Sequence, residues 1–259
     1  MRMSLTKIAL KIAAPAPKIE DFERFLFIGP HPDDIEIGAG ATAAKLAAAG
    51  KQVSFLICLD GRYGMENAPA DMTSEQLIGI RKEEAIASAR ALGVERVTFL
   101  DFCDGGFYEV GALRDAMAKA VGESGAQVIF APDPDSANEC HTDHLNVGRI
   151  AKELAFFAPF GDIMARRGAK SAPVEAIALY MTARPNRFVK TAGYLERQLA
   201  ALFDCHQSQF PRGCAAGKSI ELYLKLRAAD FGLRTLSRSA EGFRVLGRTQ
   251  MHCLPEAGL

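Results

Sequence analysis

The chain has 259 residues, 49% of them hydrophobic and 24% charged, with 31 Lys+Arg balanced by 31 Asp+Glu. That composition buries a sizeable core and excludes a disordered chain, and the even charge leaves no electrostatic footprint for nucleic acid or an anionic membrane. No run approaches the roughly 18 apolar residues that cross a bilayer, Lys7 and Lys11 interrupt the apolar stretches of the first 17 residues, and the six cysteines form no Cys-x-x-Cys pair; a cytoplasmic protein with reduced thiols is expected.

After an N-terminal arm expected to be loosely held, residues 24–29 read as a short buried strand. Pro30 and Pro32 stop regular pairing, and His31, Asp33 and Asp34 stand between and after them. Residues 37–49 read as an Ala/Gly-rich helix stopped at Gly50, and 52–59 as a strand apolar enough to be covered on both faces. A loop over 60–72 leads to Thr73 and Gln76, which have capping-box spacing, and to a helix ending near residue 92 before Gly93. A strand at 97–102, the loop Asp104-Gly105-Gly106, a helix at 112–124, a strand at 127–131 and a helix from His141 to about residue 157 follow.

This alternation predicts an α/β fold, a Rossmann-like and mostly parallel sheet with helices on both faces. Ligand sites in such sheets lie beyond the carboxyl ends of the strands. His31, Asp60, Asp104 and the segment 133–144 all directly follow strands, so they converge on one edge. From residue 158 the rhythm changes to a strand at 174–182, a short strand at 187–190, a helix at 194–205 and a helix at 219–236 that Gly232 ends or kinks. Glu241-Gly242-Phe243-Arg244 and a tail follow. One domain is expected, with a core over 24–157 and a C-terminal α/β extension over 158–259.

By itself, Pro-Asp-Asp is most simply a polar turn, and His141-Thr-Asp-His144 a helix cap with Asp143 favourably placed on the helix dipole. Taken together they bring three of the chain's five histidines near several carboxylates. Two imidazoles and one carboxylate, with water completing the shell, form the ligand set of a catalytic zinc site; iron and manganese accept the same donors. Such a metal lowers the pKa of bound water to about 7 and polarises a carbonyl. A carboxylate left off the metal can take the proton from that water, and Asp33 is adjacent to do so.

Gly38-Ala-Gly40-Ala-Thr-Ala43 offers a rival, since it matches the dinucleotide fingerprint with Asp60 ending the next strand. The fingerprint needs its first glycine directly after the strand. Here about nine residues intervene, and Asp33, Asp34 and Glu36 among them would repel a diphosphate; close helix packing explains these glycines better. Arg81, taken alone, reads as a solvated helix charge, His206 as a helix-end histidine, and Cys103 and Cys140 as space-fillers.

With Pro-His-Pro-Asp-Asp, Ile-Gly-Ala-Gly-Ala-Thr and His-Thr-Asp-His, the chain resembles the PIG-L/LmbE-like family of zinc-dependent deacetylases of N-acetylglucosamine derivatives. Asp60-Gly61, Ile80-Arg81-Lys-Glu-Glu, Ala131-Pro-Asp-Pro134, His206-Gln-Ser-Gln-Phe210 and Glu241-Gly-Phe-Arg244 extend the likeness over nearly the whole chain. Within the family, the later motifs are most similar to the diacetylchitobiose deacetylases. The resemblance implies zinc ligation by His31, Asp34 and His144, a general base at Asp33, oxyanion stabilisation by His141, and support of the histidines by Asp143. It implies sugar contacts at Arg81 and Asp104. Residues 243–255 resemble the tail of that branch, which forms hexamers and passes a C-terminal histidine to a neighbour's site; this implies a homo-oligomer with His252 in that role. Thr142, where the family often has Pro, Cys140 and the Arg62-Tyr63 loop depart from the family pattern.

The expected activity is therefore hydrolysis of the acetamide of an N-acetylglucosamine unit to amine and acetate. A thiol-sugar conjugate or a glycosylated antibiotic precursor is the alternative substrate, and a Rossmann nucleotide-binding protein the alternative of another class.

Overall fold

The computed structural model describes residues 5–69, 71–211, 213–252 and 254. In chain order the elements are α1 (Leu5–Ala13), a 3-10 turn (Ile19–Asp21), β1 (Arg24–Gly29), α2 (Asp34–Ala48), β2 (Gln52–Leu59), α3 (Ser74–Leu92), β3 (Arg96–Phe102), α4 (Val110–Ser124), β4 (Val128–Pro132) and α5 (Thr142–Phe157). The remainder is α6 (Gly161–Arg166), β5 (Ala176–Tyr180), β6 (Arg187–Lys190), α7 (Leu195–Ala200), a π-helical turn (Ala201–Cys205), α8 (Ala215–Thr235) and β7 (Ala240–Gly247).

The strands form one sheet in the order β3-β2-β1-β4-β5-β7-β6. β3 through β5 pair in parallel, and β7 runs antiparallel to both β5 and β6. Strand order reverses between β1 and β4, so a crevice opens where the chain leaves these two strands in opposite directions. His31 follows β1, and the loop after β4 delivers His141 and His144, which places both sequence clusters at this switch point.

Both faces of the sheet are covered, as the apolar strands require. Along β1, Phe25 and Phe27 join one core layer with Phe55, Phe130 and Phe243, while Leu26 and Ile28 join the other with Leu56, Ile129, Val147 and Leu154. Phe27 stacks on Phe130 with centroids 4.1 Å apart. That alternation is the period-two pleat of a strand buried on both sides.

Helix α2, which carries Asp34, is broken at Ala39 (φ −155°). The break is capped from a distance: the Glu241 carboxylate on β7 accepts from Ala41 N at 3.2 Å and from Thr42 N at 2.7 Å. Burial pushes this carboxyl up to about 7, against the pull of the Thr42 and Ala41 donors. The flanking glycines are explained by close approach. A Cβ on Gly38 would lie 2.1 Å from the Tyr180 ring, and one on Gly40 2.9 Å from Gln198 Cγ. Gly38 and Gly40 thus serve packing, as the sequence favoured over a nucleotide fingerprint.

Several boundaries differ from the expected ones. The arm contains a helix, α1, and the chain after it is tied down at Ala14 and Ala16 by hydrogen bonds from Gln250 and Arg187. Gly232 neither ends nor kinks α8; it makes room for Ser237 O, which would stand 2.6 Å from a Cβ. Residues 241–244, read only as a motif, lie in a buried eight-residue strand. Its charged members hid it: Glu241 is buried because it caps α2, and Arg244 pairs with Asp135 at 3.4 Å.

Candidate metal centre

The turn after β1 holds the first cluster under constraint. Asp33 sits at φ 120°, ψ −25°, a region that costs a non-glycine residue about 1–3 kcal/mol and persists only when its surroundings over-determine it. Those surroundings are visible. Asp34 Oδ2 accepts from His31 N at 2.8 Å, and Arg81 donates to Pro32 O at 2.8 Å, to Gly61 O at 2.9 Å and to Asp33 Oδ2 at 3.2 Å.

Arg81 is therefore not a solvated helix charge, since it is 4% exposed. It clamps the strained turn to the loop after β2. These three bonds run to the protein itself, so the first visible role of Arg81 is to hold Asp33. Arg81→Ala is expected to lower kcat about 10- to 100-fold through misplacement of Asp33. A rise in KM should accompany it to the extent that the guanidinium also binds sugar hydroxyls. Steady-state kinetics separate the two, and unchanged kcat would remove the bracing role.

The second cluster starts α5. His141 is the N-cap, and its Nδ1 accepts from Asp143 N at 3.3 Å. With Nδ1 occupied as an acceptor, a neutral His141 ring carries its proton on Nε2. Burial, then the nearby charges of His31 and His144, hold its pKa below the usual imidazole value.

His31, Asp34 and His144 converge from the two clusters. His31 Nδ1 lies 3.2 Å from Asp34 Oδ2, and His144 Nε2 lies 3.3 Å from Asp34 Oδ1. The three residues offer ligand atoms all within 4.8 Å of one another, and His31, His141 and Asp143 form an overlapping group. Oxygen and nitrogen donors at this spacing fit a divalent cation such as zinc. In the first group each imidazole offers one nitrogen to the centre and gives its other nitrogen to a carboxylate. For His31 that carboxylate is Asp143, 3.1 Å from Nε2, itself fully buried and fixed by Gly105 N at 2.7 Å and Gly106 N at 2.9 Å. Such outer-shell anchoring orients a metal-binding imidazole.

The electrostatics follow from this crowding. Burial opposes charge on His31, but its bonds to Asp143 and Asp34 outweigh it and raise the pKa to about 10; Asp34 likewise lifts His144 to about 9 against burial. Asp34, despite burial, is held well below the carboxylate range by His144 and His31. Asp33 is pushed up to about 6 by burial, with Arg81 opposing and Asp34 adding to the rise.

Asp104 lies beside the centre, 4% exposed, with Oδ2 accepting from Tyr63 N at 3.3 Å. His252 is exposed against Phe156, ring centroids 5.5 Å apart. Phe156 is twelve residues from His144 on α5, roughly 18 Å along the helix, so His252 does not join its own chain's cluster. One residue escaped the sequence entirely: Glu139 reaches His144, and nothing in its spacing marks it. His206, expected only as a helix-end histidine, is fully buried with Nε2 3.6 Å from Glu36 Oε1. Glu36, with the charges of Asp33 and Glu84, raises its pKa against burial. The flanking Ser208 and Gln209 bind Glu84 and Gly64 O, which ties this segment to α3 and to the loop beneath Arg81.

Fold and site together define an α/β protein with a two-histidine, one-carboxylate centre at the switch point of its sheet. The chain belongs to the PIG-L family: residues 26–155 match the profile described as GlcNAc-PI de-N-acetylase. It is 31% identical to the diacetylchitobiose deacetylase of Thermococcus kodakarensis, over 98% of this chain and 93% of that one. Its structure is similar to that of the N,N'-diacetylchitobiose deacetylase of Pyrococcus horikoshii in complex with the inhibitor MPG, with TM-score 0.86, 28% identity and coverage of 98% and 97%. The 4-carboxy-2-hydroxymuconate hydratase GalB of Pseudomonas putida, at 19% identity and TM-score 0.72 over 87% and 96% of the two chains, shares the fold alone.

Proposed function

We propose that this protein is a zinc-dependent hydrolase that removes the acetyl group from an N-acetylglucosamine-containing substrate. The observation that carries the reading is the convergence of His31, Asp34 and His144, with Asp33 and His141 beside them, in a chain similar end to end to a diacetylchitobiose deacetylase.

His31, Asp34 and His144 would hold the zinc, which when bound supplies Lewis acidity toward water and the acetyl carbonyl. Asp33, braced by Arg81, accepts the proton of the attacking water. The Nε2–H of His141 donates to the oxygen on which negative charge develops as the carbonyl carbon becomes tetrahedral. When the carbon–nitrogen bond breaks, Asp33 passes its proton to the leaving amine; the lowered pKa of His141 suits it to the neutral donor role instead. Asp143 keeps His31 oriented; sugar contacts by Arg81 and Asp104 belong to the same proposal and rest on the family resemblance.

Metal analysis of the purified protein, with an acetate-release screen over N-acetylated sugars, tests the whole reading. It requires about one zinc per chain and acetate from an N-acetylglucosamine substrate. A metal-free protein that releases no acetate from any of them would refute it. The balanced charge and scattered cysteines suit a cytoplasmic enzyme acting on a small sugar.

The remaining assignment is His252. Its distance from its own cluster supports a role in trans, in a homo-oligomer whose neighbouring subunit it completes. Mixing Asp33→Asn and His252→Ala subunits under conditions of exchange is expected to restore activity, because an intact Asp33 then meets an intact His252. Verified mixed oligomers that stay inactive would remove the role.

A further inference from the structure

We propose that Glu139 is the positioning residue of His144 and a determinant of how tightly the centre holds its metal. The inference rests on the metal reading above and concerns the chain's own residues. Glu139 lies in the loop between β4 and α5, not on the helix that carries His144. Its Oε2 is 3.1 Å from His144 Nδ1, and its Oε1 accepts from His141 N at 2.8 Å. With both oxygens engaged, the carboxylate is fixed in orientation as well as in place.

The requirement comes from the tautomer of His144. Its Nε2 faces Asp34 at the centre; to bind a metal there that nitrogen must present a lone pair, which puts the ring proton on Nδ1. An acceptor at Nδ1 selects that tautomer and locks the ring plane. Glu139 supplies it, as Asp143 does for His31 through the opposite nitrogen. The two imidazoles are thus set by two separate carboxylates, one fully buried on α5 and one on the preceding loop.

The loop can bear this load because it is anchored. Ser136 Oγ donates to Met181 O at 2.8 Å, Asp135 N bonds Asp133 Oδ1 at 3.0 Å, and Glu139 N closes a turn on Ser136 O at 3.1 Å. The same carboxylate also caps the His141 amide, so a single side chain coordinates the angle of the metal imidazole with the start of the helix.

Glutamine discriminates this role from simple capping. Glutamate offers two acceptors to two N–H groups; glutamine offers one acceptor and one donor, and cannot satisfy both. The test measures the zinc dissociation constant of the full chain by competition with a chromophoric chelator, the visible spectrum of the cobalt-substituted protein, and the melting of the metal-free form. Glu139→Ala is expected to weaken zinc binding about 10- to 100-fold, and Glu139→Gln about 10-fold. Both should alter the cobalt spectrum while metal-free melting stays near that of the parent protein. Zinc affinity within about twofold of the parent in both variants, well short of the loss such anchoring carries, overturns the inference. So does a loss of affinity accompanied by an unchanged cobalt spectrum and an equal loss of metal-free stability, which marks a purely structural cap. If the parent protein itself binds no zinc, it is the metal reading that fails, and this inference fails with it.

Discussion

Asp33→Asn is expected to retain its zinc and to lose at least about 100-fold in kcat, the usual contribution of a general base. The substitution is nearly isosteric, so Arg81 can still hold the side chain through an amide oxygen, and the turn stays braced. What disappears is the ability to accept a proton. The carboxyl has been pushed up to about 6 by burial, against Arg81 and with Asp34 adding; a cation bound at Asp34 would only lower it. Activity of the parent protein should therefore fall on the acid side at or below about pH 6, as Asp33 becomes protonated, and the residual activity of Asp33→Asn should lack that limb. Paired metal analysis and pH–rate profiles check both statements. Near-normal turnover in the variant would remove Asp33 from the chemistry.

Loss of a ligand should have the larger effect on the metal. Asp34→Ala and His144→Ala are expected to bind no zinc at stoichiometric concentration and to show no activity above background, since each leaves two of three protein donors. Full occupancy in both would show that the centre lies elsewhere.

The same residues predict a pH dependence of loading. In the metal-free chain His31 titrates at about 10 and His144 at about 9. At those values both imidazoles are protonated at pH 7 and would have to lose a proton to take a metal. Zinc uptake at about pH 7 should therefore release close to two protons, and affinity should climb steeply with pH until about 9. The linkage to stability has the same sign. Folded-state values above the unfolded value of about 6.5 stabilise the metal-free fold. That stabilisation is full below about pH 6.5 and is lost as pH rises through 9 and 10. Metal-free protein should thus melt progressively lower from about pH 7 to 10. Proton release in lightly buffered zinc titrations and melting curves across that range are the measurements. Zinc uptake at about pH 7 without proton release would show that both imidazoles are already neutral there.

Much of the architecture was legible because its signals are local. The capping box at Thr73 and Gln76 forms as spaced, and Gly93 ends the same helix in the left-handed region (φ 87°). The apolar runs at β1 and β2 are buried strands, and the alternation of strands with helices required a parallel sheet. The pairing of the two His/Asp clusters was legible as well, because a parallel sheet brings residues that follow its strands to one edge.

Tertiary structure alone decided the roles that depend on partners distant in sequence. Arg81 reads as a surface charge because helix α3 shows polar neighbours around it; only the approach of the Pro32 turn and the Gly61 loop makes it a buried clamp. Glu241 looks too polar for a strand interior, and the reason it is tolerated there is a break in α2, far earlier in the chain, whose amides it caps. The strain at Asp33, the carboxylates bonded to His31 and His144, and the separation of His252 from their cluster are likewise facts of assembly. Local periodicity reports which face of an element is apolar, but not which charged group another segment will bring to satisfy it.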